Sequence, residues 1–174
     1  MRLLTIGVIS DTHMPHMARR LPRAVVDGMR EANVDVLVHC GDMLDASALD
    51  ELETIAPLEA VAGNNDSWDL VRRFGERKIL AFGDVRIGVV HGHGAPRRER
   101  TPDHAYAQYA HEDVHAVLFG HSHIPLCEWR DGRLLFNPGS PTDKRRQPEY
   151  SYGILRVNGT QIDPQLHFFA SKEA

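Results

Sequence analysis

Two histidines that stand one residue apart, His121 and His123, could bind a metal ion together. They follow the apolar run 116–119 and Gly120, a pattern that predicts a buried strand ending in a tight turn. Side chains at positions i and i+2 of an extended segment point the same way, and imidazole is the commonest metal ligand. On its own such a pair is also typical of surface histidines, so its weight depends on how the other strands end.

Four other strand-like segments end in residues of the same kind. The polar residues that follow them are Asp11 with His13, Asp42, Asn64 and His91. Because ligands bind at the carboxyl ends of parallel strands, we expect these side chains to meet at one edge. Seven groups are too many for one tetrahedral ion, but they are enough for two ions that share a carboxylate. Asp42 is the natural bridge.

The charge of such a site indicates its substrate class. Two divalent ions bring four positive charges, Asp11 and Asp42 bring two negative charges, and a bridging hydroxide brings one. The remaining positive charge suits an anionic phosphate ester better than a neutral substrate. Mixed imidazole, carboxylate and carboxamide ligands favour Mn²⁺, with Fe²⁺, Co²⁺, Ni²⁺ or Zn²⁺ as alternatives, over Ca²⁺.

The elements that must position these residues alternate at the start of the chain. Apolar runs at 3–9, 34–40 and 58–62 predict strands, and helices are predicted at 21–32 and 47–55. Asp45 or Ser47 is the candidate cap of the second helix. This alternation predicts right-handed crossovers and a largely parallel sheet.

The pattern changes after residue 77. Three hairpins are predicted, at 78–82 with 85–90, at 126–130 with 133–136, and at 152–157 with 160–168. A helix is predicted at 101–111, and Pro164 predicts an edge strand or a bulge. These elements predict an α/β fold in which two mixed β-sheets pack face to face with helices outside, in one domain of residues 1–174.

Composition excludes several classes of protein. A net charge of −4 argues against a broad nucleic-acid surface, and the apolar runs are too short to span a bilayer. Cys40 and Cys127 are too few for a disulfide framework, and Met1 leads straight into a strand without a signal peptide. We therefore expect a cytoplasmic protein, with a homo-oligomer as a reasonable possibility.

Five short motifs now match the order found in a known family, the calcineurin-like metallophosphoesterases. They are Asp11-x-His13, Gly41-Asp42, Gly63-Asn64, His91-Gly-His93 and Gly120-His121-x-His123. With its short length and the Asn-Pro-Gly-Ser-Pro loop at 137–141, the chain resembles the small bacterial and archaeal phosphodiesterase branch, which is related to the retromer subunit Vps29. The resemblance spans nearly the whole chain and implies a four-layer α/β/β/α sandwich.

The resemblance also implies a binuclear metal-dependent phosphodiesterase that acts on a small-molecule phosphate ester. The implied ligands are Asp11, His13, Asp42 and His123 for one ion, and Asp42, Asn64, His91 and His121 for the other. A bridging hydroxide would attack phosphorus in line with the leaving group. Two alternatives stay open: a protein-interaction scaffold of the same fold, like Vps29, and a nucleotide or cyclic-nucleotide phosphodiesterase. Because every implied ligand is present, the enzyme is favoured over the scaffold.

One position departs from the family pattern. Asn65 stands where many relatives have a histidine that is thought to protonate the leaving group. A water, Asp66 or His93 could replace it, and His93 is favoured. Asp66 is expected instead to orient a ligand histidine. We therefore expect good activity on phosphodiesters with good leaving groups and weak activity on alkyl monoesters, with Asp42, Asn64 and His93 as the catalytic residues. The basic runs at 97–100 and 144–146 are expected to be solvated loops.

Overall fold

The computed structural model describes residues 3–173 of the 174-residue chain. Its ten strands are β1 (Leu4–Ile9), β2 (Val36–His39), β3 (Leu58–Ala60), β4 (Arg77–Phe82), β5 (Val85–Val90), β6 (Ala116–Leu118), β7 (Leu126–Arg130), β8 (Arg133–Asn137), β9 (Tyr150–Asn158) and β10 (Gln161–Phe169). Its helices are α1 (Arg23–Glu31), a 3₁₀ turn (Ala46–Ala48), α2 (Leu49–Glu53), α3 (Trp68–Phe74) and α4 (Thr101–Ala107).

The strands form two mixed five-stranded sheets, as the sequence predicts. The first has the order β10-β9-β1-β2-β3, and β1, β2 and β3 run parallel. The second has the order β4-β5-β6-β8-β7, and β5, β6 and β8 run parallel. In each sheet the parallel strands therefore deliver their carboxyl ends, and the loops that follow them, to one edge.

Three apolar layers hold the sheets and helices together. Side chains such as Ile6, Val38 and Val89 from the inner faces of both sheets form the central layer. Val25 and Met29 of α1 pack with α2 and α3 residues on the outer face of the first sheet. Residues of α4 and the turn after it cover the outer face of the second sheet. This arrangement confirms the predicted α/β/β/α sandwich.

The helices differ from the prediction in length and in number. The helix α1 begins at Arg23, with Pro22 as its N-cap, and Asp45 caps the 3₁₀ turn by accepting a hydrogen bond from Ser47 N–H at 2.8 Å. The helix α4 ends early because the chain tightens into i to i−3 hydrogen bonds after Ala107. The helix α3, which buries only Leu70 fully, was not predicted because its 7 residues are too few to show a repeated apolar stripe.

Several smaller expectations are met. Pro164 lies in the edge strand β10. Cys40 and Cys127 are both free thiols. None of the helices between residues 3 and 173 has the length and apolar character that a bilayer crossing requires.

Tyr109 provides a test of how the second sheet is held. Its ring is fully buried, and its hydroxyl lies 2.7 Å from the Val89 carbonyl and 2.8 Å from the Lys78 carbonyl. Tyr109→Phe should therefore lower the free energy of unfolding by about 1–2 kcal/mol. Tyr106→Phe is the control, because the Tyr106 hydroxyl bonds only exposed Asp131 and its loss should cost less than about 0.5 kcal/mol. Equal losses in denaturant melts would contradict this assignment.

Candidate metal centre

Asp11, in the loop after β1, is fully buried at the edge where the two sheets meet. Its Oδ2 accepts hydrogen bonds from Ser10 Oγ at 2.7 Å and from His121 N–H at 3.0 Å. Its Oδ1 has no hydrogen-bond partner within residues 3–173. Gly120 allows this approach, because a Cβ atom there would lie 1.9 Å from Ser10 Oγ. Half of the carboxylate is thus fixed by the protein, and the other half is presented without a partner.

Asp42, in the loop after β2, is held from its backbone and from its side chain. Its carboxylate oxygens accept hydrogen bonds from the backbone N–H and the side-chain amide of Asn65, both at 2.9 Å. Its backbone N–H donates to Asp66 Oδ2 at 2.9 Å. A Cβ atom at Gly63 would lie only 2.2 Å from Asp42 Oδ1, so glycine is required there. The Gly63 motif therefore serves to let the two loops touch.

Two histidines are oriented through the ring nitrogen that faces away from the aspartates. His91 Nδ1 lies 2.8 Å from the Cys40 carbonyl, and His123 Nδ1 lies 2.6 Å from the Asp143 carbonyl. A carbonyl only accepts, so each Nδ1 carries a proton, and each Nε2 offers a lone pair to a cation once the ring is neutral. This is the arrangement in which backbone carbonyls orient metal-bound histidines.

The unpartnered atoms of these residues point toward one another. Oδ1 of Asp11 and the Nε2 atoms of His13, His91 and His123 are buried and have no hydrogen-bond partner in the described chain. Asp11 Oδ1 lies 3.4 Å from His123 Nε2 and 3.7 Å from His91 Nε2. Asp42 Oδ2 lies 3.3 Å from His91 Nε2 and 3.7 Å from His13 Nε2. Two ligands that are each about 2.1 Å from one ion lie about 3 to 4 Å apart, so this donor set fits bound cations.

The donors form two overlapping groups of three residues, and three protein ligands are enough to hold one ion. Asp11, His13 and His123 form one group, and Asp11, Asp42 and His91 form the other. Asp11 is common to both, whereas the sequence predicts that Asp42 is the shared ligand. Asp42 Oδ2 nevertheless faces one histidine of each group. The bridging position of Asp42 therefore stays a prediction.

The remaining predicted residues lie around these groups. The His121 ring packs edge-on against the His91 ring, with centroids 5.2 Å apart, and His93 lies 5.5 Å from His91. Neither joins a group of three donors. Asn64 has an exposed side chain in the loop that contacts Asp42. The ligand positions of Asn64 and His121 stay predictions.

The charges of the centre shift the pKa values of its members. Burial would raise the pKa of Asp11, but neighbouring His123 and His91 outweigh it and the pKa lies below its ordinary value. Asp42 behaves alike, with His91 and Asn65 holding its pKa well below the usual range. Burial opposes charge on His91, but Asp42 and Asp11 raise its pKa to about 9. Aspartates and histidine therefore stabilise each other's charged forms.

The pKa of His93 lies below its ordinary value because the ring is partly buried and faces His91. Its Nε2 lies 3.7 Å from Glu76 Oε1, and its Nδ1 is buried without a partner in the described residues. The pKa of His121 is lowered by the same two causes, burial and His91. Both rings are therefore mainly neutral at neutral pH.

Asp66 corrects one expectation. It was expected to orient a ligand histidine, but its carboxylate instead accepts three backbone N–H groups. The donors are Asp42, Leu44 and Gly63, at 2.7–2.9 Å. Both oxygens are used, so Asp66 holds two loops together and is a poor candidate for the general acid. The prediction failed because side-chain type does not reveal a backbone partner.

The loop after β8 braces the centre, a function that the sequence did not reveal. Ser140 Oγ donates to the Asp11 carbonyl at 2.9 Å, and Thr142 Oγ1 donates to the Thr12 carbonyl at 2.7 Å. The same loop supplies the Asp143 carbonyl that orients His123. The only signal in the sequence was the turn-rich run at 137–141.

His39, at the end of β2, contacts the loop after β1 and the loop after β2, which carry Asp11 and Asp42. It is fully buried, its Nδ1 accepts from Gly41 N–H at 3.1 Å, and its Nε2 lies 3.0 Å from Thr12 Oγ1. These contacts require the neutral ring, and burial lowers the pKa of His39 to about 4. His39 therefore has a structural role.

Comparisons with known proteins agree with this geometry. A family model described as the calcineurin-like phosphoesterase superfamily domain matches residues 4–160. A probable metallophosphoesterase of Methanothermobacter thermautotrophicus is 35% identical, over 94% of this chain and 91% of its own. A phosphodiesterase of Methanocaldococcus jannaschii is 27% identical, over 78% of this chain and 83% of its own. Zinc-bound Vps29 of Entamoeba histolytica has a similar structure, with a TM-score of 0.76 and 22% identity over 95% of this chain and 99% of its own.

The buried His39 predicts a pH effect on stability. Its pKa is about 4 when folded and 6.5 when free, so only the unfolded chain takes up its proton between these values. The free energy of unfolding should therefore fall by up to about 3 kcal/mol as pH drops from 6.5 to 4. In chelator, His39→Asn should flatten this slope relative to the parent protein.

His111→Asn is the matched control, because His111 is exposed and its replacement should keep the parent slope. Comparing slopes rather than absolute stabilities separates the proton effect from any packing loss in the variant. A His39→Asn slope equal to that of the parent would show that this ring does not carry the effect.

Proposed function

The chain belongs to the calcineurin-like phosphoesterase superfamily, and from this premise we propose that it is a binuclear metal-dependent phosphodiesterase. Its substrate would be a small-molecule phosphate diester. The phosphodiesterase relative from Methanocaldococcus jannaschii supports the reaction class. Mn²⁺ is the favoured metal because the donors mix imidazole and carboxylate, with Fe²⁺, Co²⁺, Ni²⁺ and Zn²⁺ as alternatives.

One observation carries this proposal. Four buried donor atoms, Asp11 Oδ1 and three histidine Nε2 atoms, face one another without hydrogen-bond partners in the described chain. Leaving a buried polar atom unpaired costs about 1–3 kcal/mol, more for a charged group. A protein that binds nothing here would be more stable if these polar atoms were paired or replaced by apolar groups. Four unpaired donor atoms in one place therefore favour a metal centre over a purely structural role.

Each of the two ions would have its own set of protein ligands. Asp11, His13, Asp42 and His123 would hold one ion, and Asp42, Asn64, His91 and His121 would hold the other, so that Asp42 is shared. Bound ions would supply Lewis acidity toward the phosphoryl oxygens and lower the pKa of a water molecule to generate the nucleophile. Cys40 and Asp143 would fix His91 and His123 through their carbonyls, so that both Nε2 atoms stay aimed inward.

Leaving-group protonation would depend on a different residue from that of many relatives. Asn65 is occupied with Asp42 through both its backbone and its side chain, so it acts as a positioning residue. His93 stands beside His91, its Nδ1 has no hydrogen-bond partner among residues 3–173, and we propose it as the general acid. Its lowered pKa means that little of it is protonated at neutral pH. Esters with good leaving groups, which need little protonation, would therefore react best.

We also propose a cytoplasmic location. The two free cysteines support it, because disulfides are rare in reducing compartments. Cys40 lies deep in the core, where burial raises the pKa of its thiol well above the ordinary value. It is therefore an inert core residue rather than a reactive one.

Metal removal separates the enzyme from a scaffold of the same fold. Protein treated with chelator should lose hydrolysis of bis(p-nitrophenyl) phosphate and regain it with Mn²⁺, at a stoichiometry near two ions per chain. Asp42→Asn should lower kcat/KM by at least about 100-fold, because it weakens cation binding and transition-state stabilisation.

Asp84→Asn is the matched control, since Asp84 is exposed in the turn between β4 and β5, and it should keep full activity. Activity that persists in chelator, or in metal-reconstituted Asp42→Asn, would contradict the mechanism. A protein that binds the ions but hydrolyses no diester would support the scaffold instead.

The general acid can be tested by varying the leaving group. His93→Asn should lower kcat by about 10–100-fold for a diester whose leaving group is a weakly acidic alcohol, such as p-nitrobenzyl alcohol. It should change kcat little for bis(p-nitrophenyl) phosphate, whose leaving group needs no proton. Because the pKa of His93 lies below 6.5, the parent activity on the poor leaving group should fall as pH rises from 5 to 7. An equal loss on both substrates would mean that His93 does not donate the proton.

A further inference from the structure

A cavity of about 300 Å³ opens beside the candidate metal centre. It lies between the start of α4 and the segment that leads into β7. The residues that line it are Glu99, Arg100, Thr101, Pro102, Ser122, Ile124 and Leu126. Ser122 stands between the predicted ligands His121 and His123, so the cavity reaches the same loop as the metal centre.

Both walls of the cavity continue from ligand loops. On one side Ser122 Oγ accepts hydrogen bonds from Ile124 N–H at 3.2 Å and from Asn137 Nδ2 at 3.1 Å. On the other side Thr101 packs on the residue after His91, because a Cβ atom at Gly92 would lie 3.1 Å from Thr101 Cγ2. The walls are therefore fixed relative to the histidines, as a substrate subsite requires.

The lining combines apolar side chains with Ser122 near the metal centre and with Glu99 and Arg100 at the start of α4. Ile124 keeps 52% of its surface exposed and so offers an aliphatic face to a ligand. Pro102 and Leu126 extend the apolar lining. Arg100 forms no ion pair within residues 3–173, and a guanidinium can stack on an aromatic face. The aliphatic side chains and the guanidinium together suit a compact flat ring.

We propose that this cavity receives an aromatic ester group of the phosphodiester and that Ile124 determines this specificity. The inference rests on the proposed function, because the phosphoryl group would be held by the adjacent metal centre. A volume near 300 Å³ accommodates a single ring joined directly to the phosphate oxygen. The substrate class is then aryl phosphodiesters rather than diesters of two small alkyl alcohols.

Two phosphonates that cannot be hydrolysed test the cavity directly. Phenylphosphonate and methylphosphonate present the same head group but differ in the single organic substituent. Calorimetric titration of the Mn²⁺-reconstituted protein should give a Kd for phenylphosphonate at least about tenfold lower, because ring burial favours binding. Ile124→Ser should reduce this ratio to threefold or less, and Ile124→Trp should weaken phenylphosphonate alone by filling the cavity.

Leu3→Ser is the matched control, because Leu3 is 51% exposed and lies before β1, at the other end of that strand from Asp11. It should keep the parent ratio. A ratio that Ile124→Ser leaves unchanged, or parent protein that binds both phosphonates equally, would overturn the assignment of the cavity while hydrolysis of diesters persists. If the reconstituted protein bound neither phosphonate and hydrolysed no diester, both this inference and the proposed function would fall.

Discussion

The structure depends on the burial of one carboxylate, that of Asp11. Moving a charged carboxylate out of water costs several kcal/mol unless opposite charges and hydrogen bonds compensate it. Ser10 and the His121 backbone satisfy one oxygen, and the other faces histidine nitrogens. These partners come from three loops that belong to both sheets. The face-to-face packing of the sheets is therefore what makes a buried aspartate tolerable.

The backbone around this carboxylate is strained, and the surrounding loops hold it in place. Five of the seven predicted ligands have positive φ angles; they are Asp11, His13, Asp42, His121 and His123. Such a conformation costs about 1 kcal/mol or more for a residue with a side chain. Backbone hydrogen bonds join the first two loops, from Asp11 N–H to the Gly41 carbonyl and from His13 N–H to the Asp42 carbonyl. Strain that is supported in this way marks a functional site.

The sequence was informative where chemistry follows directly from residue type and strand periodicity. The apolar runs predicted the two sheets, and polar residues at their ends predicted which loops converge. What could not be predicted are the contacts made by backbone atoms, such as the Asp143 carbonyl on His123 and the three N–H groups on Asp66. Except for the contact between Gly63 and Asp66, they join segments 20 or more residues apart, and nothing in the side-chain pattern encodes them. The helix α3 was missed for a different reason, because a helix of 7 residues is too short for its apolar residues to repeat, and the Ser67 cap alone marks its start.

The electrostatics of the centre connect its stability to its chemistry. Burial opposes charge on His91 and His123, but the neighbouring aspartates raise the pKa of both, that of His91 to about 9. Because the pKa of His91 is about 9, its ring is protonated at neutral pH and offsets part of the negative charge of Asp11 and Asp42. A cation that binds Nε2 of His91 must displace its proton, so binding releases protons and weakens as pH falls. The bound cation then supplies the positive charge that the ring proton supplied before, and one set of loops serves both states.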